Sequence, residues 1–101
     1  MFVSCYITAK SKGEAEKIIS ALLKKRLIAC ANMFPVKSQY WWKGKIEKSS
    51  EYVIIAKTRK EKEKKIIAEV KEIHSYEVSC IVFYDIRGSK NYLEWIDGET
   101  K

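Results

Sequence analysis

The side chains able to hold a metal ion are few: one histidine, His74, and three cysteines, Cys5, Cys30 and Cys80. Thiolate and imidazole are good ligands for copper. No C-x-x-C or H-x-x-x-H spacing gathers them, so one histidine and scattered cysteines offer only part of a site. Cys5 and Cys80 fall in apolar runs and read as small packed hydrophobes. Cys30 also alternates with apolar neighbours, which leaves both packing and ligation open to it. Several copies of the chain could complete a site that one copy lacks. Nothing supplies the nucleophile, base and orienting group of covalent catalysis, so binding is expected and turnover is not. Lys10-Ser11-Lys12-Gly13 could hold an anion weakly, and no glycine-rich phosphate loop is present.

The elements that must position these groups are legible. Phe2 to Thr8 is rich in β-formers and predicts a first strand. Ser11 followed by Glu14 is a capping box, and Ala15, Ile18, Ile19, Leu22 and Leu23 recur at helical spacing as one buried stripe. Ile28 to Thr58 reads as two long extended arms reversing at Lys43-Gly44-Lys45, a β-hairpin. Thr58 with Glu61 repeats the capping signature, ahead of a second helix with Ile66, Ile67, Val70 and Ile73 inward. Val78 to Ile86 predicts a fourth strand. Ser89 can then cap a short helix carrying Tyr92, Leu93, Trp95 and Ile96, with Gly98 near its end.

Composition bounds the partners. A chain of 101 residues, 47% hydrophobic and 33% charged, makes a single domain over residues 1–101. The net charge of +7 collects in Lys24-Lys25-Arg26 and in the stretch from Lys57 to Lys65. Glu61 and Glu63 interleave with the second cluster, as on a solvated helix face, and no nucleic-acid partner is expected. No apolar run approaches the roughly 20 residues of a membrane span, and Lys10 follows the opening apolar residues, the wrong order for a secretion signal. Three cysteines without close spacing suit a reducing cytoplasm.

The order β-α-β-β-α-β is the split βαβ arrangement, an α+β ferredoxin-like fold with an antiparallel sheet. Helices cover one sheet face, and the other should alternate with polar residues if it meets water. Instead, Val53 and Ile55 oppose Tyr52, Ile54 and Ala56, and Val78, Cys80 and Val82 oppose Ile81 and Phe83. The hairpin arms are about twice an ordinary strand of 5–6 residues, so their end overshoots the body. Tyr40-Trp41-Trp42 near that end could stack on bases but fit oligomer packing better. Self-association would cover the second face and the strand edges.

Ala29-Cys30-Ala31-Asn32 with Pro35, and Tyr40-Trp41-Trp42-Lys43-Gly44-Lys45-Ile46-Glu47, resemble the signature of the CutA divalent-cation tolerance proteins. So do Lys57-Thr58, His74-Ser75-Tyr76-Glu77-Val78 and Tyr92-Leu93-Glu94-Trp95-Ile96, which carry the similarity over essentially the whole chain. The resemblance implies a tight homotrimer whose hairpins extend neighbouring sheets, acting in tolerance of divalent metals such as copper. It implies no required cofactor. Cys30 and His74 match positions linked to copper in some members. Lys57, His74, Tyr76, Glu77 and Trp42 match positions gathered around a cleft between subunits. There they would bind a small anionic ligand or metal complex, or form a polar network that fixes the interface. Ser75 and Ser79 stand where the family usually has proline, which should leave the loop around His74 freer.

Other users of this fold fit less well. An RNA-recognition domain would carry a basic-glycine-aromatic motif where this chain has Glu51-Tyr52-Val53-Ile54-Ile55-Ala56. Acylphosphatase-like enzymes need an arginine after the first strand. A PII-like trimeric sensor holding a small anionic metabolite between subunits is the remaining alternative.

Overall fold

A computed structural model describes all 101 residues. Along the chain run β1 (Phe2–Ala9), α1 (Lys12–Lys24), β2 (Cys30–Trp42), β3 (Lys45–Arg59), α2 (Glu63–Ile73), β4 (Ile81–Ile86) and α3 (Lys90–Glu99). A single 3-10 turn, Lys60–Lys62, precedes α2. The four strands form one antiparallel sheet in the order β2-β3-β1-β4. The expected α+β architecture is therefore present, with three helices on a four-stranded sheet.

Alternation along β1 sets the two faces. Val3, Cys5, Ile7 and Ala9 are fully buried, and Cys5, Ile7 and Ala9 join the core formed with α1 and α2. Their register partners on β3 are Thr58, Ala56, Ile54 and Tyr52, which share that face. Ala15, Ile18 and Leu22 of α1 and Ile66 and Val70 of α2 close the core over them. Each such large side chain contributes roughly 1.5–3 kcal/mol on burial. Leu23 was expected in the α1 stripe but is 41% exposed, one position past the inward arc.

The opposite face carries Tyr6 and Thr8 of β1, Glu51, Val53, Ile55 and Lys57 of β3, and Val82 and Tyr84 of β4. Phe34 of β2 joins it through its pairing with Val53. Helix α3 covers only the end of this face: Arg59 Nε donates to Thr100 Oγ1 at 2.8 Å, and Tyr92 lies against Cys30. Beyond α3, Phe34, Val82 and Tyr84 stay 40%, 40% and 57% exposed. The two-sided apolar strands thus leave oily side chains in the open, as their pattern implied.

The hairpin turns at Lys43-Gly44, whose φ angles are 50° and 82°. Two successive left-handed residues make the turn whose twist matches its strands, and Gly44 takes that conformation without steric cost. With 13 and 15 residues in its arms, the hairpin stretches the molecule to 45 × 24 × 21 Å.

Two expectations need correction. Thr58 caps no helix: it lies within β3, fully buried, and its hydroxyl donates to the Leu27 carbonyl at 2.6 Å. A short motif matched the capping pattern, but the β1 pairing carries the strand on to Arg59. The fourth strand begins at Ile81, not Val78, because residues 74–80 form a loop held by side-chain bonds.

Candidate functional site

That loop makes the most developed polar structure in the molecule. At its start, the His74 ring is wholly shielded from solvent. Its Nε2 lies 2.6 Å from the Thr8 carbonyl, while Nδ1 accepts the Tyr76 backbone N–H at 3.1 Å. An accepting Nδ1 leaves the proton on Nε2, which donates to Thr8. Both ring nitrogens are therefore committed to backbone. Glu14 reaches the same place from α1, with Oε1 4.0 Å from His74 Nε2.

Glu14 belongs to the first capping box but uses it unusually. Ser11 Oγ accepts the Glu14 N–H at 3.1 Å, as the motif requires. The Glu14 carboxylate instead accepts the N–H of Lys10 at 3.0 Å and that of Ser75 at 3.1 Å. Burial alone would raise its carboxyl pKa, but hydrogen bonds from Ser75 and Lys10, with His74 nearby, outweigh it and hold it below the ordinary value. Ser75 could not make this bond as a proline. The loop expected to be freer is tied to α1 through the donor that proline would remove.

Tyr76 turns from this anchor toward the sheet. Its ring meets His74 edge-on at 4.6 Å, and its hydroxyl donates to Glu51 Oε2 at 2.5 Å. Burial, then the Glu51 acceptor and its charge, push the phenol well above its ordinary pKa. Glu51 was read only as a strand residue. Its role rests on a partner 25 positions away, which no local pattern reveals. A carboxylate at an outward position at the head of the apolar run Tyr52–Ala56 was the one available signal.

Between this loop and the far part of the hairpin lies a groove of about 670 Å³. Glu51, Tyr76 and Glu77 line it together with Tyr40, Trp41 and Trp42. Of the five residues expected around a cleft, Trp42, Tyr76 and Glu77 are thus brought together within one chain. His74 stands behind Tyr76 as its support. Lys57 is elsewhere: it lies six positions from Glu51 along β3, about 20 Å at ~3.3 Å per residue.

Lys57 is the register partner of Cys30, at the α3 end of the open face. Cys30 Sγ is 3.2 Å from the Tyr92 hydroxyl, and this bond, then burial, raises the Tyr92 pKa. Cys30 and His74 do not meet in one chain. Lys57 pairs with Ser4, four positions from the Thr8 that holds His74, or about 13 Å at ~3.3 Å per residue. No cluster of three or more His, Cys, Asp or Glu side chains is placed to hold a metal ion. Cys5 is a packed hydrophobe, as expected, and its thiol is pushed up to about 12, chiefly by burial. Cys80 is only partly buried and borders the groove.

Comparison with known proteins matches this whole architecture. The sequence model of the CutA1 divalent ion tolerance protein family covers residues 3–99. The divalent-cation tolerance protein CutA of Archaeoglobus fulgidus is 53% identical over 93 residues, 91% of each chain. Its namesake from Pyrococcus horikoshii is 41% identical over 97 residues, 95% of each. Among solved structures, the periplasmic divalent cation tolerance protein CutA from Archaeoglobus fulgidus superposes with a TM-score of 0.98. It is 49% identical and covers all of both chains. The family is named for tolerance and not for a reaction. Its fold, hairpin and aromatic signature recur here without a break, and the chain belongs to the CutA divalent-cation tolerance family.

Proposed function

We propose that this protein serves in tolerance of, or response to, divalent metal ions, copper among them, by binding or signalling as a homotrimer. The observation that carries the reading is the family match over residues 3–99. The metal contact would run through Cys30, which is partly exposed, while His74 has both nitrogens engaged and would act by holding the loop. A single thiol is a weak site, so copies brought together by assembly would supply the rest. The exposed Phe34, Val82 and Tyr84 support that assembly. Three unpaired cysteines support a reducing compartment such as the cytoplasm.

A small anionic metabolite finds no support in the groove, whose charged lining residues are Glu51 and Glu77. Growth in graded copper tests the main reading, using cells that lack the protein and carry either the wild type or Cys30→Ala. Loss of the protein should sensitise the cells, wild type should restore them, and Cys30→Ala should restore them less. Equal growth with and without the protein would remove copper from its role.

A further inference from the structure

We propose that Arg26 and Arg59 form a latch holding α3 over the Cys30 thiol, so that opening of α3 governs the access of a soft metal ion to Cys30. The proposal rests on Cys30 as the metal contact and adds a gate to it. Arg26 supplies the first observation. Its φ is 57°, and only Lys43 in the hairpin turn is also left-handed without being glycine. The Arg26 N–H donates to the Leu23 carbonyl at 3.0 Å, and the Leu27 N–H donates to the Leu22 carbonyl at 2.9 Å. Those two bonds end α1 in a Schellman motif, with Arg26 at the position glycine usually fills. A side chain is disfavoured there, so its presence points to a use elsewhere in the fold. That use is visible: Arg26 Nη1 donates to Glu99 Oε1 at 2.8 Å and reaches the Glu99 carbonyl at 3.4 Å.

Arg59 grips the same helix end from β3. Its Nε donates to Thr100 Oγ1 at 2.8 Å and lies 3.7 Å from Asp97, while its Nη2 donates to the Thr100 carbonyl at 2.5 Å. The last turn of α3 has no basic residue of its own. Both cations that meet its C-terminal dipole therefore come from other elements.

Little else fastens α3. Ile96 is its one fully buried side chain, and it lies outside the core that α1 and α2 close over the sheet. Tyr92 and Trp95 stack on each other and stay 40% and 43% exposed. Toward its N-terminal end, a single side-chain bond reaches the sheet, between the Tyr92 hydroxyl and Cys30 Sγ at 3.2 Å. Helix α3 can thus lift without opening the core, as elements with few buried contacts do. Lifting it releases the thiol from Tyr92 and uncovers it.

Two measurements on the full chain in metal-free buffer test the latch. Iodoacetamide alkylation, read by peptide mass spectrometry, reports access to Cys30: the sulfur displaces iodide and its proton passes to buffer. Cys5, fully buried, is the internal reference. Amide hydrogen exchange over residues 90–99 reports α3 itself. Arg26→Gly places the preferred residue at the Schellman position, so α1 keeps its end and only the latch is lost. Cys30 alkylation and α3 exchange should rise together, about threefold in Arg26→Gly and about tenfold or more in Arg59→Met. Cys5 reactivity and far-ultraviolet dichroism should not change. The proposal is overturned if neither variant speeds Cys30 alkylation, or if alkylation rises while α3 exchange does not. It is equally overturned if α3 in the wild type exchanges as slowly as β1. Neither assay contains a metal, so growth in copper that ignores the protein would strike the metal contact and leave the latch standing.

Discussion

The Tyr76 hydroxyl donates to Glu51 Oε2 across 2.5 Å, joining the loop after α2 to the long β3 arm. Behind it, the Tyr76 N–H rests on His74 Nδ1, and His74 on the Thr8 carbonyl. One tyrosine therefore links the groove to the buried imidazole. Its bond to a carboxylate is of the charge-assisted kind, about twice as strong as a neutral one.

Tyr76→Phe should lower unfolding free energy by about 1–3 kcal/mol, since it leaves a buried acceptor without its donor. Urea unfolding of Tyr76→Phe, Glu51→Ala and the double variant isolates the pair. A coupling of about 1 kcal/mol or more is expected, and strict additivity would mean that the bond contributes nothing.

The turn makes a second prediction. Gly44 sits at φ 82°, where an added Cβ meets no neighbour but the backbone itself is strained. Gly44→Ala should cost about 1–2 kcal/mol, and Lys43→Asn, which places a residue tolerant of left-handed geometry at φ 50°, should stabilise. Both effects should appear as shifts in urea midpoint at constant slope. A Gly44→Ala protein as stable as wild type would contradict the assigned turn.

These two regions show why parts of the molecule were legible and parts were not. Lys43-Gly44 announces its turn because the requirement is local: a left-handed backbone wants glycine wherever it occurs. Ser11 and Glu14 likewise declared a helix start. Thr58 and Glu61 carried the same signature and misled, because pairing with Val3 holds Thr58 in the sheet. Lys57 and Cys30 were separable from the Tyr76 cluster only through register, which the sequence does not print. Glu51 and Tyr76 needed a contact across 25 residues, and Glu14 and Ser75 one across 61. Capping chemistry is short-range, whereas the groove is built from long-range closures.

Stability should fall at both ends of the pH scale for different reasons. The folded-state carboxyl of Glu14 lies below its ordinary 4.5, so the folded chain releases that proton more readily than the unfolded one. Its contribution is full above pH 4.5 and is lost as pH drops through the folded value. Cys5 acts oppositely: its thiol rises from 9.0 to about 12, so its contribution is full below 9.0 and declines toward 12. Tyr76, also raised, adds to the alkaline limb. Urea unfolding across pH should show Glu14→Gln flattening the acid limb alone. Cys5→Ala should flatten part of the alkaline limb, and an unchanged slope there would place the thiol outside the core.

The uncovered face makes the strongest demand on solution behaviour. Phe34 and Val82 point away from α1 and α2, so replacing them leaves the core intact. Each is 40% exposed, so covering it against a neighbour should gain roughly 0.6–1.2 kcal/mol, repeated in every copy that joins. Light scattering on the wild type should give about three times 11.8 kDa at micromolar concentration. Phe34→Asp with Val82→Asp should scatter as a single chain while keeping its far-ultraviolet dichroism. Wild type at the single-chain mass would end the trimer reading, because the 40% exposure of both side chains would then be the state in which the protein lives.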